Sequence, residues 1–313
     1  MGSREIMIKV GIIGSGNWAL ALTKILTNVR IVIKARKIRD SNKKFKDKNK
    51  EIFLTTNFND LNGCKFLFLA NPSQTVRENL KKIPKKINSK FVICCKGVEK
   101  GSNKLMHQVL QDIFPKNGYA ILSGPNFATE VVKGLPTASV LSSKSNKTLN
   151  EVSSIISCKK FRTYFNNDIV GTQIGGAMKN VIAIASGVIK GCNLGHNAGA
   201  AIITRGLSET IDLGIKMGAK KSTFYGLSGI GDLTLTCSSL KSRNTKLGYL
   251  LAKGKSKTNQ LFEGIESCES ICKLGNRFSL ELPICNAVKK ILKGSDINRI
   301  VIDLLSRPLQ FEK

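Results

Sequence analysis

The chain has 313 residues, 42% of them hydrophobic and 23% charged, which is long enough for two domains with separate cores and excludes a disordered or fibrous protein. Fifty basic side chains against 21 acidic ones give a net charge of +29, which raises nucleic acid or an anionic membrane as a partner. The lysines are spread along both halves, and the densest stretch, 43–50, is broken by Phe45, Asp47 and Asn49; the surplus therefore reads as composition bias, and no nucleic-acid partner is expected.

The nine cysteines form no CxxC pair and the chain has only two histidines, so neither a metal site nor a disulfide framework is expected. Scattered thiols suit a reducing cytoplasm, where cysteine behaves as a small buried hydrophobe. Residues 1–6, ahead of Met7, carry neither a basic n-region leading into an apolar run nor a cleavage signature, so a cytoplasmic location is expected.

From Ile8 to about Phe165, short apolar runs alternate with amphipathic stretches, the pattern of βα units that build a parallel sheet. Strands are predicted at 9–14, 31–35, 66–70, 91–95, 120–122 and 138–141. The first runs into Gly14-Ser15-Gly16-Asn17-Trp18-Ala19 and then an apolar-faced helix. Gly14 permits a tight turn, Gly16 lets backbone approach a pyrophosphate, and Ala19 allows close helix–strand packing; free N–H groups at the helix start stabilise the phosphate charge. This is a dinucleotide-binding fingerprint, carried by Gly14, Gly16 and Ala19 in a segment that also holds Ser15, Asn17 and Trp18.

About 20 residues further on, an NAD-selective enzyme carries a carboxylate for the adenosine ribose. Here the second strand ends in Lys34-Ala35-Arg36-Lys37. With no acid present and Arg36 able to fork onto a 2′-phosphate, NADP(H) is the favoured cofactor, with NAD(H) the alternative.

Beyond Gly171 the texture changes to long segments rich in Ala, Ile, Leu, Gly and Lys, which predict helices and place a boundary near 166–172. The run 169–189 is apolar enough for a bilayer, but Lys179 and Asn180 stand at its middle, where a charge costs about 3 kcal/mol. A buried helix at the heart of a second domain is therefore expected, and no integral membrane segment.

Several separated strings then coincide with one family. They are the glycine turn above, Ser123-Gly124-Pro125-Asn126-Phe127-Ala128-Thr129-Glu130, Gly175-Gly176-Ala177-Met178-Lys179-Asn180, Thr204-Arg205-Gly206-Leu207, Gly229-Ile230-Gly231-Asp232-Leu233 and Ser242-Arg243-Asn244. In these the chain resembles bacterial NAD(P)-dependent glycerol-3-phosphate dehydrogenases over nearly its whole length. The resemblance implies an α/β fold: a Rossmann-like domain with a mostly parallel sheet over 7–168, then an all-helical domain of the 6-phosphogluconate dehydrogenase C-terminal type over 169–313. It implies reduction of dihydroxyacetone phosphate to sn-glycerol 3-phosphate for phospholipid synthesis, in a cleft between the domains, and it allows a homodimer.

By the same resemblance Lys179 is the catalytic acid/base, and Lys96, Gly124, Asn126, Asp232, Ser242, Arg243 and Asn244 contact substrate. Arg36, Lys96, Ala128, Arg243, Leu261 and Glu263 join the glycine turn on the cofactor side. Asn126 stands where the family commonly has Ser or Thr, and Leu261 where it commonly has Val.

Elementary chemistry supports these assignments. Reducing a ketone creates an alkoxide, which needs a donor that stabilises negative charge and delivers a proton. Lys179 is the only ionisable residue between Asp168 and Lys190, and burial should disfavour its charged form, whereas a nearby Asp232 would orient the ammonium and oppose that shift. Ser242 can cap a helix starting near Arg243 and running toward Leu251, leaving its first N–H groups beside a guanidinium as an anion cradle. The rival readings are another β-hydroxyacid or 6-phosphogluconate-type dehydrogenase on the same architecture, and a non-catalytic basic module that binds nucleic acid.

Overall fold

A computed structural model describes residues 7–255 and 262–306. The chain divides into two compact units, one taking the N-terminal part to Cys95 together with Met106–Ile169, the other Lys96–Leu105 and everything from Val170. Lys96–Leu105 thus leaves the first unit and returns to it, an excursion that a single boundary in chain order does not express.

The first unit is built on eight strands: β1 (Ile8–Ile13), β2 (Val29–Lys34), β3 (Ile52–Thr55), β4 (Phe66–Leu69), β5 (Lys90–Ile93), β6 (Tyr119–Ser123), β7 (Thr137–Ser142) and β8 (Phe161–Asn166). They form one sheet in the order β3-β2-β1-β4-β5-β6-β7-β8, parallel except where β7 runs against β6. Strands such as Phe66-Leu67-Phe68-Leu69 are wholly buried because helices cover both faces, as a doubly wound sheet requires. Those helices are α1 (Asn17–Ile25), α2 (Val76–Lys82), α3 (Met106–Gln111), α4 (Ala128–Val132) and α5 (Asn146–Ile156). One face packs Val10, Ile12, Leu22, Ile31, Ile33, Phe66 and Phe68, the other Val32, Leu67, Leu69, Phe91 and Leu110.

The predicted mostly parallel sheet is thus present, with two strands that the apolar runs did not reveal. β3 is short and turns Phe53 outward, and β8 is an edge strand whose Tyr164 and Phe165 are about half exposed. A strand with one solvated edge or face buries fewer of its side chains, so its sequence lacks the continuous apolar run that marks a central parallel strand.

Apart from Lys96–Leu105, the second unit is built of helices joined by loops: α6 (Ile169–Gly191), α7 (Gly195–Lys216), α8 (Lys221–Phe224), α9 (Asp232–Ser238), α10 (Arg243–Ala252), α11 (Glu263–Arg277), α12 (Pro283–Leu292) and α13 (Ile297–Leu305). Its core surrounds α6, whose Ile174, Met178, Val181, Ile182 and Ile184 pack with Phe224, Leu233, Ile271 and Val288. Every residue from Gly171 to Ile189 is buried except Lys179. The apolar run is therefore explained by burial in the helical core, and none of the described helices is long and apolar enough to cross a membrane. Backbones meet closely along α6: a Cβ on Gly175 would lie 2.3 Å from the Ser228 carbonyl oxygen, so only glycine lets the segment leading into α9 approach.

Glu209 on α7 secures the start of α12. Pro283 has no N–H to offer at the first helical position, and the Glu209 carboxyl oxygens accept the next two, from Ile284 at 2.6 Å and Cys285 at 3.2 Å. Burial raises its pKa from 4.5 to about 7, against the two backbone bonds, the Cys285 thiol and Arg205, all of which lower it. Because the folded chain holds this proton more tightly than the unfolded one, the contribution of Glu209 to stability is fully present below pH 4.5 and is lost as pH rises through about 7. A displacement of that size corresponds to about 3 kcal/mol. Denaturant unfolding of wild type and Glu209→Gln between pH 4.5 and 7.5 should therefore show a steeper decline in wild type; equal slopes would contradict this account.

Candidate active site

In the second unit, three ionisable side chains from distant parts of the sequence converge. The Lys179 ammonium on α6 donates to Oδ1 of Asp232 at 2.6 Å, and the Lys96 ammonium donates to Oδ2 of the same carboxylate at 2.6 Å. Asp232 is fully buried at the first position of α9, whereas the side chains of Lys179 and Lys96 keep 11% and 19% of their surface. A buried carboxylate is tolerable only when its oxygens are met by charged donors, and this one binds two. The cluster sets two basic side chains, each partly exposed, against one fully buried carboxylate.

Thr236, one turn along α9 from Asp232, accepts a second hydrogen bond from the Lys179 ammonium at 2.9 Å. Its hydroxyl donates in turn to the Asp232 carbonyl oxygen at 2.7 Å. The amine is thus held from two sides, leaving its third N–H to point elsewhere. The sequence reading had passed over Thr236; its spacing of four residues from Asp232, which puts both on one helix face, is the signal that could have found it.

Ser242 caps α10, its hydroxyl accepting the Thr245 N–H at 3.3 Å, as the sequence predicts. The N–H groups of Arg243 and Asn244 have no intrahelical acceptor there, and the Arg243 side chain is exposed beside them. Asn244 is buried and also bonded within the unit. Its amide donates to Asn180 Oδ1 at 2.9 Å and its Oδ1 accepts the Gly264 N–H at 3.2 Å, so part of its hydrogen-bonding capacity joins α10 to α6 and to the start of α11. Asn180 also donates to the Lys96 carbonyl at 3.3 Å, fixing the backbone that carries the second amine. Glu263 opens α11 next to Gly264, and Leu261 lies outside the described residues.

In the first unit the remaining predicted residues gather at the carboxyl ends of the strands. Ile13 is level with Lys34 of β2 on one side and Leu69 of β4 on the other, so the chain leaves β1 where the strand order reverses. Open α/β sheets bind ligands at such a switch point. Gly14 has φ +115°, and a Cβ there would lie 2.8 Å from the Ala70 carbonyl oxygen, so the turn requires glycine. A Cβ on Gly16, at the start of α1, would meet nothing within 4 Å beyond its immediate chain neighbours. That gap leaves backbone N–H groups open to an approaching phosphate, and the residues fit a dinucleotide.

Ser15 and Trp18 are partly buried, Asn17 and Arg36 exposed, and Ala128 begins α4 against the same core as Trp18. Gly124, with φ +134°, ends β6, and the Asn126 carboxamide lies 2.9 Å from Ser139 Oγ. Among the described residues no group of histidine, cysteine and acidic side chains could hold a metal ion.

A glycine turn at the switch point of a Rossmann sheet, carried in one chain with a helical unit that pairs a half-buried lysine with a buried aspartate, has the build of a nicotinamide-dependent oxidoreductase. Residues 9–149 match the N-terminus of NAD-dependent glycerol-3-phosphate dehydrogenase, and residues 168–302 match its C-terminus. The chain is 37% identical to glycerol-3-phosphate dehydrogenase [NAD(P)+] of Zymomonas mobilis, covering 97% of this chain and 94% of that one. It is 40% identical to the enzyme of the same name from Carboxydothermus hydrogenoformans, over 91% of this chain and 92% of that one. A crystal structure of glycerol-3-phosphate dehydrogenase from Coxiella burnetii is similar in fold, with a TM-score of 0.88 at 29% identity, covering 97% of this chain and all of that one. The chain belongs to the NAD-dependent glycerol-3-phosphate dehydrogenase family.

Proposed function

We propose that the chain reduces dihydroxyacetone phosphate to sn-glycerol 3-phosphate in the cytoplasm, supplying phospholipid synthesis, with NADPH preferred to NADH. Residues 7–168 bind the dinucleotide and residues 169–313 hold the acid catalyst and most of the substrate contacts, to which Lys96, Gly124 and Asn126 are added from the earlier part of the chain. The observation that carries the reading is the Lys179–Asp232–Lys96 bridge, whose Lys179 is the one break in an otherwise buried stretch of α6.

The glycine turn from Gly14 to Trp18 would hold the pyrophosphate of a nicotinamide cofactor, which when bound would supply the hydride. The remaining work falls to this chain's side chains. Lys179 points an ammonium proton at the ketone oxygen and transfers it as negative charge develops there. Asp232 and Thr236 restrain the amine in that direction, and Lys96 adds a second cation that stabilises the alkoxide. The substrate's phosphate binds at the start of α10, where the N–H groups of Arg243 and Asn244 and the Arg243 guanidinium supply donors. Gly124 and Asn126 bound the substrate from the strand ends, and Ala128 and Glu263 contribute to cofactor binding.

The test is nicotinamide absorbance with dihydroxyacetone phosphate, alongside a panel of non-phosphorylated keto and hydroxy acids. Faster turnover of a non-phosphorylated acid would replace the substrate assignment with that of another dehydrogenase on this architecture. In the same assay Arg36→Asp should raise the KM for NADPH by about tenfold or more and change that for NADH far less. Equal effects on both cofactors would remove Arg36 from 2′-phosphate recognition.

A further inference from the structure

The dinucleotide reading leaves unassigned one basic residue whose backbone is bonded to the glycine turn. Lys34 is the last residue of β2, and it stands 20 residues after Gly14, at about the distance where NAD-selective enzymes place their ribose-binding carboxylate. Its backbone is fixed against the turn, because the Lys34 carbonyl oxygen accepts the Gly14 N–H at 2.9 Å. Its ammonium lies 3.9 Å from the centroid of the Phe58 ring. Among the described residues no carboxylate forms an ion pair with it, since nearby Glu78 is taken by Lys82 at 2.5 Å.

We propose that Lys34, with Arg36 two residues on, is a specificity-determining contact for the adenosine 2′-phosphate of NADP(H). The assignment rests on the dinucleotide-binding reading above and adds to it a residue that selects between the two cofactors. At this position a carboxylate would accept from the 2′-hydroxyl and repel a 2′-phosphate; an ammonium reverses both preferences. The Phe58 ring restricts the lysine stem and favours the cation, so less freedom is lost when the phosphate arrives. Partial burial, and then the charge of Lys82, lower the pKa of Lys34, and a phosphate dianion alongside would oppose that shift. Lys34 is half-buried at the end of β2, whereas Arg36 is exposed just beyond the strand.

The experiment measures binding to the full chain of NADPH and NADH by nicotinamide fluorescence, and of 2′,5′-ADP, which carries the 2′-phosphate without a nicotinamide, by calorimetry. Lys34→Met keeps most of the stem that covers Phe58 and removes the charge. It should weaken NADPH and 2′,5′-ADP about tenfold, the scale of one charged hydrogen bond, while NADH stays within about twofold. Lys34→Arg should retain most of the NADPH affinity, and this rescue keeps the proposal testable if Lys34→Met folds poorly. Equal weakening of NADPH and NADH, or unchanged NADPH binding in Lys34→Met, would overturn it. If wild type binds both nicotinamides and reduces dihydroxyacetone phosphate, such a result removes Lys34 alone. If wild type binds neither, the dinucleotide reading itself fails.

Discussion

In Lys179→Ala, turnover with dihydroxyacetone phosphate should fall by roughly a thousandfold or more, while nicotinamide affinity stays close to wild type. Loss of a positioned general acid costs about two to four orders of magnitude, and here the same group also stabilises the alkoxide. The fold should survive, because Asp232 keeps its bond from Lys96 when Lys179 is removed, and the truncated side chain leaves no orphaned carboxylate. Steady-state kinetics with thermal unfolding on the same preparation separates the two effects. Lys179→Arg should not restore activity, since a guanidinium retains its proton and presents a planar fork where a tetrahedral amine had been. A variant lacking Lys179 that turned over within tenfold of wild type would end the proposed role.

Asp232 is expected to behave in the opposite way with respect to stability. Replacing it with alanine leaves two ammonium groups facing each other across a site from which their shared counter-charge has gone. Breaking a buried pair by removing one partner costs about 3–5 kcal/mol, and here two partners are stranded at once. We expect a lower unfolding midpoint together with a large loss of turnover. Added sulfate or phosphate should recover part of the midpoint, because an anion can settle between the amines, but should not recover turnover. Asp232→Asn preserves the shape and removes the charge; wild-type stability and activity in that variant would show that the carboxylate is dispensable. The pairing therefore predicts two distinct phenotypes for residues that touch each other, a catalytic loss at Lys179 and a combined loss at Asp232.

The parts of the site that depend on local backbone were legible in the sequence. Gly14 is required by a turn whose φ only glycine adopts easily, and the Ser242 hydroxyl caps the helix that follows it; both demands act within a few residues. The central strands β1, β4 and β5 were legible too, since burial on both faces writes a continuous apolar run. β3 and β8 escaped because edge strands bury less. Thr236 and Asn180 escaped because their importance lies in a partner, Lys179 for one and the backbone of Lys96 for the other. Asn244 was expected to face substrate and is found partly committed to Asn180 and Gly264, a constraint that comes from α6 and α11 and from nothing near it in the chain.

By itself the sequence determined the dinucleotide turn, the alternation that yields the sheet, the buried helix, and the presence of one amine within it. Those properties follow from periodicity, glycine conformation and the cost of burying charge, which operate over one element at a time. Only tertiary structure decided that Lys96 leaves the first unit to share Asp232 with Lys179, that Glu209 caps a helix far along the chain, and that Lys34 stands over Phe58 beside the glycine turn. Each of those depends on where side chains from remote segments meet, and ion pairs and caps between such segments carry no periodic trace in the order of residues.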